Sequence, residues 1–94
     1  MIYFIVTVDI IEDKNNYQEY IKQVKPIVEE YGGRYLVRSN KITALQEQWC
    51  PRRVIIIEWD AKEQMERCFS SESYKQIVNK RENSVDSKAI IVEV

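Results

Sequence analysis

At 94 residues the chain is one domain, and its charged residues (31%) interleave acids with bases to a net charge of −1, so no basic stripe exists to gather nucleic acid or anionic lipid. It has no histidine, which removes the usual catalytic triads, imidazole metal sites and histidine-ligated haem, and leaves Tyr, Glu, Asp, Lys, Arg, Ser and Cys as acids, bases or nucleophiles. Cys50 and Cys68 are too far apart for a CxxC motif and have no companions for a zinc set, so they read as reduced thiols of a cytoplasmic protein, with no metal or cofactor expected.

The opening "MIYFIVTVDI" lacks a basic leader and a cleavage site and is too short to span a bilayer; its β-branched and aromatic residues predict a strand over 2–10. From Asp13, a plausible N-cap, the period changes. Tyr17, Tyr20, Ile21, Val24, Ile27, Val28 and Tyr31 recur at helical spacing along one face, with Pro26 inside the helix. Gly32 and Gly33 end it. Phosphate-cradling glycines follow a strand and open a helix; this pair follows a helix and precedes "RYLVRS", so Gly32 is expected in the left-handed conformation that terminates helices, and Gly33 at the re-entry into the sheet.

Next, "ITALQEQW" reads as an extended continuation or second arm, "CPRR" as a loop and "RVIIIEW" as a buried strand. "DAKE" predicts a capping box with Asp60 as N-cap and Glu63 at N3, opening a short helix through Met65, Cys68 and Phe69. A fresh cap at Ser70 or Ser71 starts a second short helix bearing Tyr74, Ile77, Val78 and Arg81 on one face; "ENSVDS" is the last loop and "KAIIVEV" the last strand. The order β, α, β, β, α, β is the split βαβ of a ferredoxin-like α+β domain over 1–94: a four-stranded antiparallel sheet with helices on one face.

Those helices cover one face of the sheet, yet "RVIIIEW" carries four consecutive aliphatics, and "IYFIVTV" and "AIIVEV" are apolar in both registers apart from Thr7 and Glu93. A second copy of the same sheet is the economical cover, giving a homodimer in which two sheets face each other as a dimeric α/β barrel with helices outside.

Taken in order, "YGGRYLVRSN", Trp49, "PRRVIIIEW", "SSESYKQIVNKRENS" and "IIVEV", with Asp13, Tyr17 and Tyr20 at the first helix entry, resemble the bacterial domain of unknown function 1330 family, a dimeric α/β-barrel group. The likeness covers nearly the whole chain. Two positions depart from the family pattern: Gln46 and Glu47 stand where Glu-Gly precedes the tryptophan, and Cys68 stands where a tryptophan precedes the S-x-x-Y motif. Wider fold relatives include cofactor-free oxygenases, isomerases, haem-degrading enzymes and ligand sensors, so the fold does not choose a function.

The resemblance points to Glu58 and Tyr74 as catalytic candidates and to Arg38, Arg53, Ser71 and Arg81 as ligand-binding ones. Arg38 either holds a carboxylate ligand or pairs with Glu58 or Glu93. Glu58 is either a base in a dry pocket or the partner of Arg53 or Arg38. Ser71 reads as a helix cap before a nucleophile, Tyr74 as a pocket hydroxyl or a core residue, and Arg81 as a cation at a helix end. The tyrosines at 17, 20 and 31 read as core, and the two tryptophans as packing or dimer contacts.

The functions in competition are a cofactor-free small-molecule enzyme acting on a small acidic ligand, and a non-catalytic ligand-binding or sensing dimer that uses the same pocket. An RNA-binding module shares the element order, but "RVIIIEW" lacks the glycine and stacking aromatics such a strand needs.

Overall fold

The structure, a computed structural model, describes all of residues 1–94. Its elements run β1 (Ile2–Ile11), α1 (Lys14–Glu30), β2 (Arg34–Ser39), β3 (Arg53–Trp59), α2 (Lys62–Ser70), α3 (Glu72–Lys75), α4 (Val78–Glu82) and β4 (Val85–Glu93). The sheet is antiparallel throughout in the order β2-β3-β1-β4, with helices on one face, so the expected ferredoxin-like α+β fold is the observed one. No helix is long and apolar enough to cross a membrane.

Helix α1 begins where Asp13 accepts a hydrogen bond from the Asn16 N–H, and continues through Pro26. Tyr17, Tyr20, Val24 and Val28 are its buried stripe. It stops in a Schellman turn: Gly32 N–H donates to Glu29 O and Gly33 N–H to Val28 O, with Gly32 at φ +93°. Gly33 has a separate reason to be glycine, because an added Cβ would lie 2.5 Å from Val28 Cγ1 and 3.0 Å from Trp59 Cη2. The glycine pair therefore sets how closely α1 descends onto β3.

Register assigns side chains to faces. Ile2, Phe4, Val6 and Val8 of β1 point to the helices and pair with Trp59, Ile57, Ile55 and Arg53 of β3; Tyr3, Ile5 and Thr7 point outward and pair with Glu58, Ile56 and Val54. Trp59, Val8, Val28 and Cys68 are the fully enclosed apolar side chains of the core, each stabilising by about 1.5–3 kcal/mol through burial. Phe69 closes it, with ring centroids 5.0 Å from Phe4, 6.1 Å from Trp59 and 4.9 Å from Tyr74.

Four local expectations need correction. Residues 41–50 form no strand, since nothing pairs with "ITALQEQW", and they run as an exposed connection between β2 and β3. Helix α2 starts one residue later than expected: Ala61 is its N-cap, Gln64 Oε1 accepts from the Ala61 N–H, and Asp60 is drawn away by Arg34. The second short helix is two pieces, α3 and α4, interrupted at Gln76 and Ile77. Strand β4 already begins at Val85 within "ENSVDS", because Val85, Asp86 and Ser87 find partners along β1.

Candidate functional site

Helices and sheet do not close completely. Between them lies a cavity of about 370 Å³, bounded by 18 residues of which 16 are hydrophobic; the remaining two, Arg81 and Ser87, stand together with Arg81 Nη1 3.5 Å from Ser87 Oγ. Four tyrosines, Tyr17, Tyr20, Tyr35 and Tyr74, share the wall. The Tyr20 and Tyr74 hydroxyls lie 3.0 Å apart, one donating to the other, and the rings of Tyr17 and Tyr20 stack at 6.2 Å.

The strand register explains how the polar groups gather at one end. Arg53, Val8 and Ser87 form one row across the helix-facing side of β3, β1 and β4; Arg38, Ile55, Val6 and Ala89 form the next. Arg38 reaches that side only because the pairing shifts between Tyr35 and Val37. The extra residue places Tyr35 and Arg38 on the same face, with the guanidinium 5.0 Å from the Tyr35 ring centroid. Arg81 comes from α4 above the same end.

Electrostatics follow from this placement. Burial pushes the Tyr17 phenol up, opposed by three guanidinium groups, Arg53, Arg81 and Arg38. Burial pushes Tyr20 up far more, with Tyr74 adding to it, and Tyr35 up to about 12. These phenols are hydrogen-bond donors at neutral pH. Burial disfavours the charge on Arg81, but the oxygens of Tyr74 and Tyr20 beside it more than offset this. Arg53 Nε and Arg81 Nε, with Trp59 Nε1, are buried atoms without a hydrogen-bond partner, and none of Arg38, Arg53 and Arg81 lies within ion-pair distance of a carboxylate.

Of the expected residues, Tyr74 and Arg81 line this cavity, Arg53 stands in the sheet row at its end, and Arg38, in the next row, is exposed and does not line it. Glu58 is elsewhere: it lies on the outer face, paired with Arg34 at 2.9 Å and adjacent to Tyr3, whose phenol it pushes up. The expected pairing of Arg38 with Glu58 or Glu93 does not form, because Arg34 occupies Glu58 and Lys62 lies 3.7 Å from Glu93. Ser71 caps α3: its Oγ accepts from Tyr74 N–H at 3.2 Å and donates to Cys68 O at 2.7 Å. Tyr17 and Tyr20 are core residues, as their spacing predicts, and they also line the cavity, which the spacing of an apolar stripe does not reveal. Trp49 was also placed too generally; its indole N–H donates to Asp9 Oδ1 at 2.8 Å, tying the 41–50 segment to the bulged end of β1.

Comparison with solved structures places this fold among known ones. A protein of unknown function from Rhodopseudomonas palustris is 17% identical, with a TM-score of 0.83 over 99% of this chain and 81% of that one. A dimeric ferredoxin-like protein of unknown function from Jannaschia sp. is 10% identical, with a TM-score of 0.75 over 99% and 98%. SnoaB, a cofactor-independent oxygenase from Streptomyces nogalater, is 8% identical, with a TM-score of 0.72 over 99% and 91%. At these identities the likeness is one of fold. Among curated proteins no relative matches. The model of the domain of unknown function family DUF1330 matches residues 1–94, and the chain belongs to that family.

Proposed function

We propose that the chain is a cofactor-free small-molecule enzyme of the cytoplasm, working as a homodimer, in which Arg81 and Tyr74 hold a carbonyl oxygen that gains negative charge as a base from solvent takes the proton of the neighbouring carbon. The observation that carries this reading is the half-buried Arg81, whose Nε is enclosed without a partner, beside the linked Tyr74 and Tyr20 hydroxyls at the end of an apolar cavity. A fixed cation and a phenol donor in a dry pocket stabilise an enolate far more than water does. Tyr74 donates a hydrogen bond to that oxygen with Tyr20 bonded behind it, and the carbon regains its proton from solvent as the carbonyl re-forms.

The homodimer is supported by the outer face of the sheet. Ile5, Val37, Val54, Ile56, Ile90 and Val92 lie there without cover from the chain's own helices, and Ile90 is 60% exposed. A self-complementary pairing of two such faces buries them in the commonest oligomer symmetry. The Jannaschia protein, which shares this fold, is dimeric.

The test is deuterium exchange at the carbon next to the ketone of phenylpyruvate, followed by NMR in heavy water without added metal or cofactor. The protein should accelerate exchange, and Arg81→Met and Tyr74→Phe should each slow it by about 100-fold, as for loss of one oxyanion donor. Absence of acceleration by the unmodified protein would overturn the enzymatic reading. A second reading, a non-catalytic ligand-binding dimer, is favoured by one observation: no carboxylate lines the cavity to serve as a base.

A further inference from the structure

A second depression adjoins the cavity. It is a more open groove of about 890 Å³ between the first half of α1, the end of β1 and the connection leading into β3, and Tyr17 lines both spaces. Arg53 lines the groove and stands in the sheet row that forms the cavity end. Tyr17 and Arg53 are thus the threshold between the two.

The charges at this threshold are unbalanced. Elsewhere five cations meet carboxylates: Arg34 with Glu58 and Asp60, Lys62 with Glu93, Lys75 with Glu72, Lys80 with Glu19, Lys88 with Asp9. At the threshold, Arg53 and Arg81 each bury a guanidine nitrogen without a partner, and Arg38 is engaged only with the Tyr35 ring. An enclosed N–H normally has an acceptor, and guanidinium matches a carboxylate in shape. Arg53 and Ser87 flank Val8 on opposite sides, two strand spacings or about 10 Å apart, which leaves room for one small anion between Arg53 and the Arg81 held at Ser87.

We infer that the ligand is an amphipathic carboxylate, its head seated at the threshold between Arg53 and the Tyr17 hydroxyl, with Arg81 reaching both the head and the carbonyl at Tyr74, and its apolar body lying in the cavity among Phe4, Val6 and Ile55. This rests on the reading of the cavity as the ligand site and assigns the substrate class: the reacting carbonyl belongs to a molecule that also carries a carboxylate. Arg53 and Tyr17 are positioning residues. They grip the end of the substrate that does not react, while Tyr74 meets the end that does.

Isothermal titration at fixed ionic strength with hydrocinnamate, with its neutral isostere benzylacetone and with acetate tests the two halves separately. Hydrocinnamate should bind, and the other two should bind at least about tenfold more weakly, since a charge-assisted hydrogen bond is lost in one and the apolar body in the other. Arg53→Met should weaken hydrocinnamate by about 10- to 100-fold and leave benzylacetone unchanged; Arg53→Lys should recover part of the loss, and Tyr17→Phe should show a smaller loss of the same sign. Arg34→Met, on the outer face, should change neither probe. Equal affinity for hydrocinnamate and benzylacetone, or an Arg53→Met effect equal on both, overturns the inference even if neutral ketones exchange deuterium. Carboxylate-selective binding without deuterium exchange leaves it standing and removes the enzymatic reading alone.

Discussion

The two faces of the sheet carry nearly the same aliphatic side chains and handle their polar ones in opposite ways. On the outer face, Arg34 bonds Glu58 and Asp60, and Lys88 lies 3.9 Å from Asp9, so every cation there has a carboxylate and the apolar middle is bare. On the helix side the apolar middle is packed, and the cations at one end have none. The comparison teaches that greasiness alone does not distinguish a core from an interface. What separates them is whether the charges at the margin are already neutralised, as on a surface awaiting a like surface, or left open, as at a mouth awaiting an anion.

The largest expected effect comes from placing the same charge on adjacent residues of β3. Ile57→Asp puts a carboxylate beneath the helices, where the native side chain is 4% exposed, and should cost on the order of 4 kcal/mol or more, enough to lose the folded state in a denaturant titration. Ile56→Asp, one residue away on the outer face, should leave the domain folded and release a monomer of 11.2 kDa in light scattering. A dimer that survives Ile56→Asp would break the assignment of that face to self-association.

Smaller effects sharpen the helix-side half of the comparison. Gly33→Ala forces a Cβ against Val28 and Trp59 and should destabilise by about 1–3 kcal/mol through overpacking. Gly32→Ala, at φ +93° with only the flexible Gln64 side chain nearby, should cost about 1 kcal/mol. If Gly33→Ala proves the milder of the two by melting temperature, the approach of α1 to β3 is looser than described.

The last effect shows only at alkaline pH. Tyr17, Tyr20 and Tyr35 have phenols raised by burial, and unfolded tyrosines ionise near about 10, so the stability these three contribute is whole below that pH and is lost as pH rises through and beyond it. Tyrosinate absorbance should therefore show these three of the six tyrosines ionising only with unfolding. Six phenols titrating together in the folded protein would mean the cavity is wetter than its lining implies.

Much of the fold was legible because each signal was local. Asp13 caps what it precedes, Gly32 turns left-handed where a helix must stop, and the alternation of Ile55 and Ile57 against Val54 and Ile56 needs only a strand to become two faces. The site was half legible. Tyr74 and Arg81 line one cavity and Arg53 the adjoining groove, whereas Glu58 alternates onto the other face, a consequence of period two that depends on which face of β3 meets the helices. The face on which Arg38 lies was hidden by the bulge at Leu36, which no pattern in "RYLVRS" announces. Asp60 looked like a cap for the same kind of reason: competition from Arg34, distant in sequence, decided its partner.

The strand order has a consequence for synthesis. Strand β1 emerges first, yet both its hydrogen-bonding edges wait for later segments, one for Arg53–Trp59 and the other for Val85–Glu93. Until Val85–Glu93 has been made, ten predominantly apolar residues keep at least one edge unsatisfied, a segment prone to joining neighbouring nascent chains. Helix α1, made immediately afterwards, is the first element able to shield it, so how promptly residues 14–30 coil against β1 governs the yield of native protein.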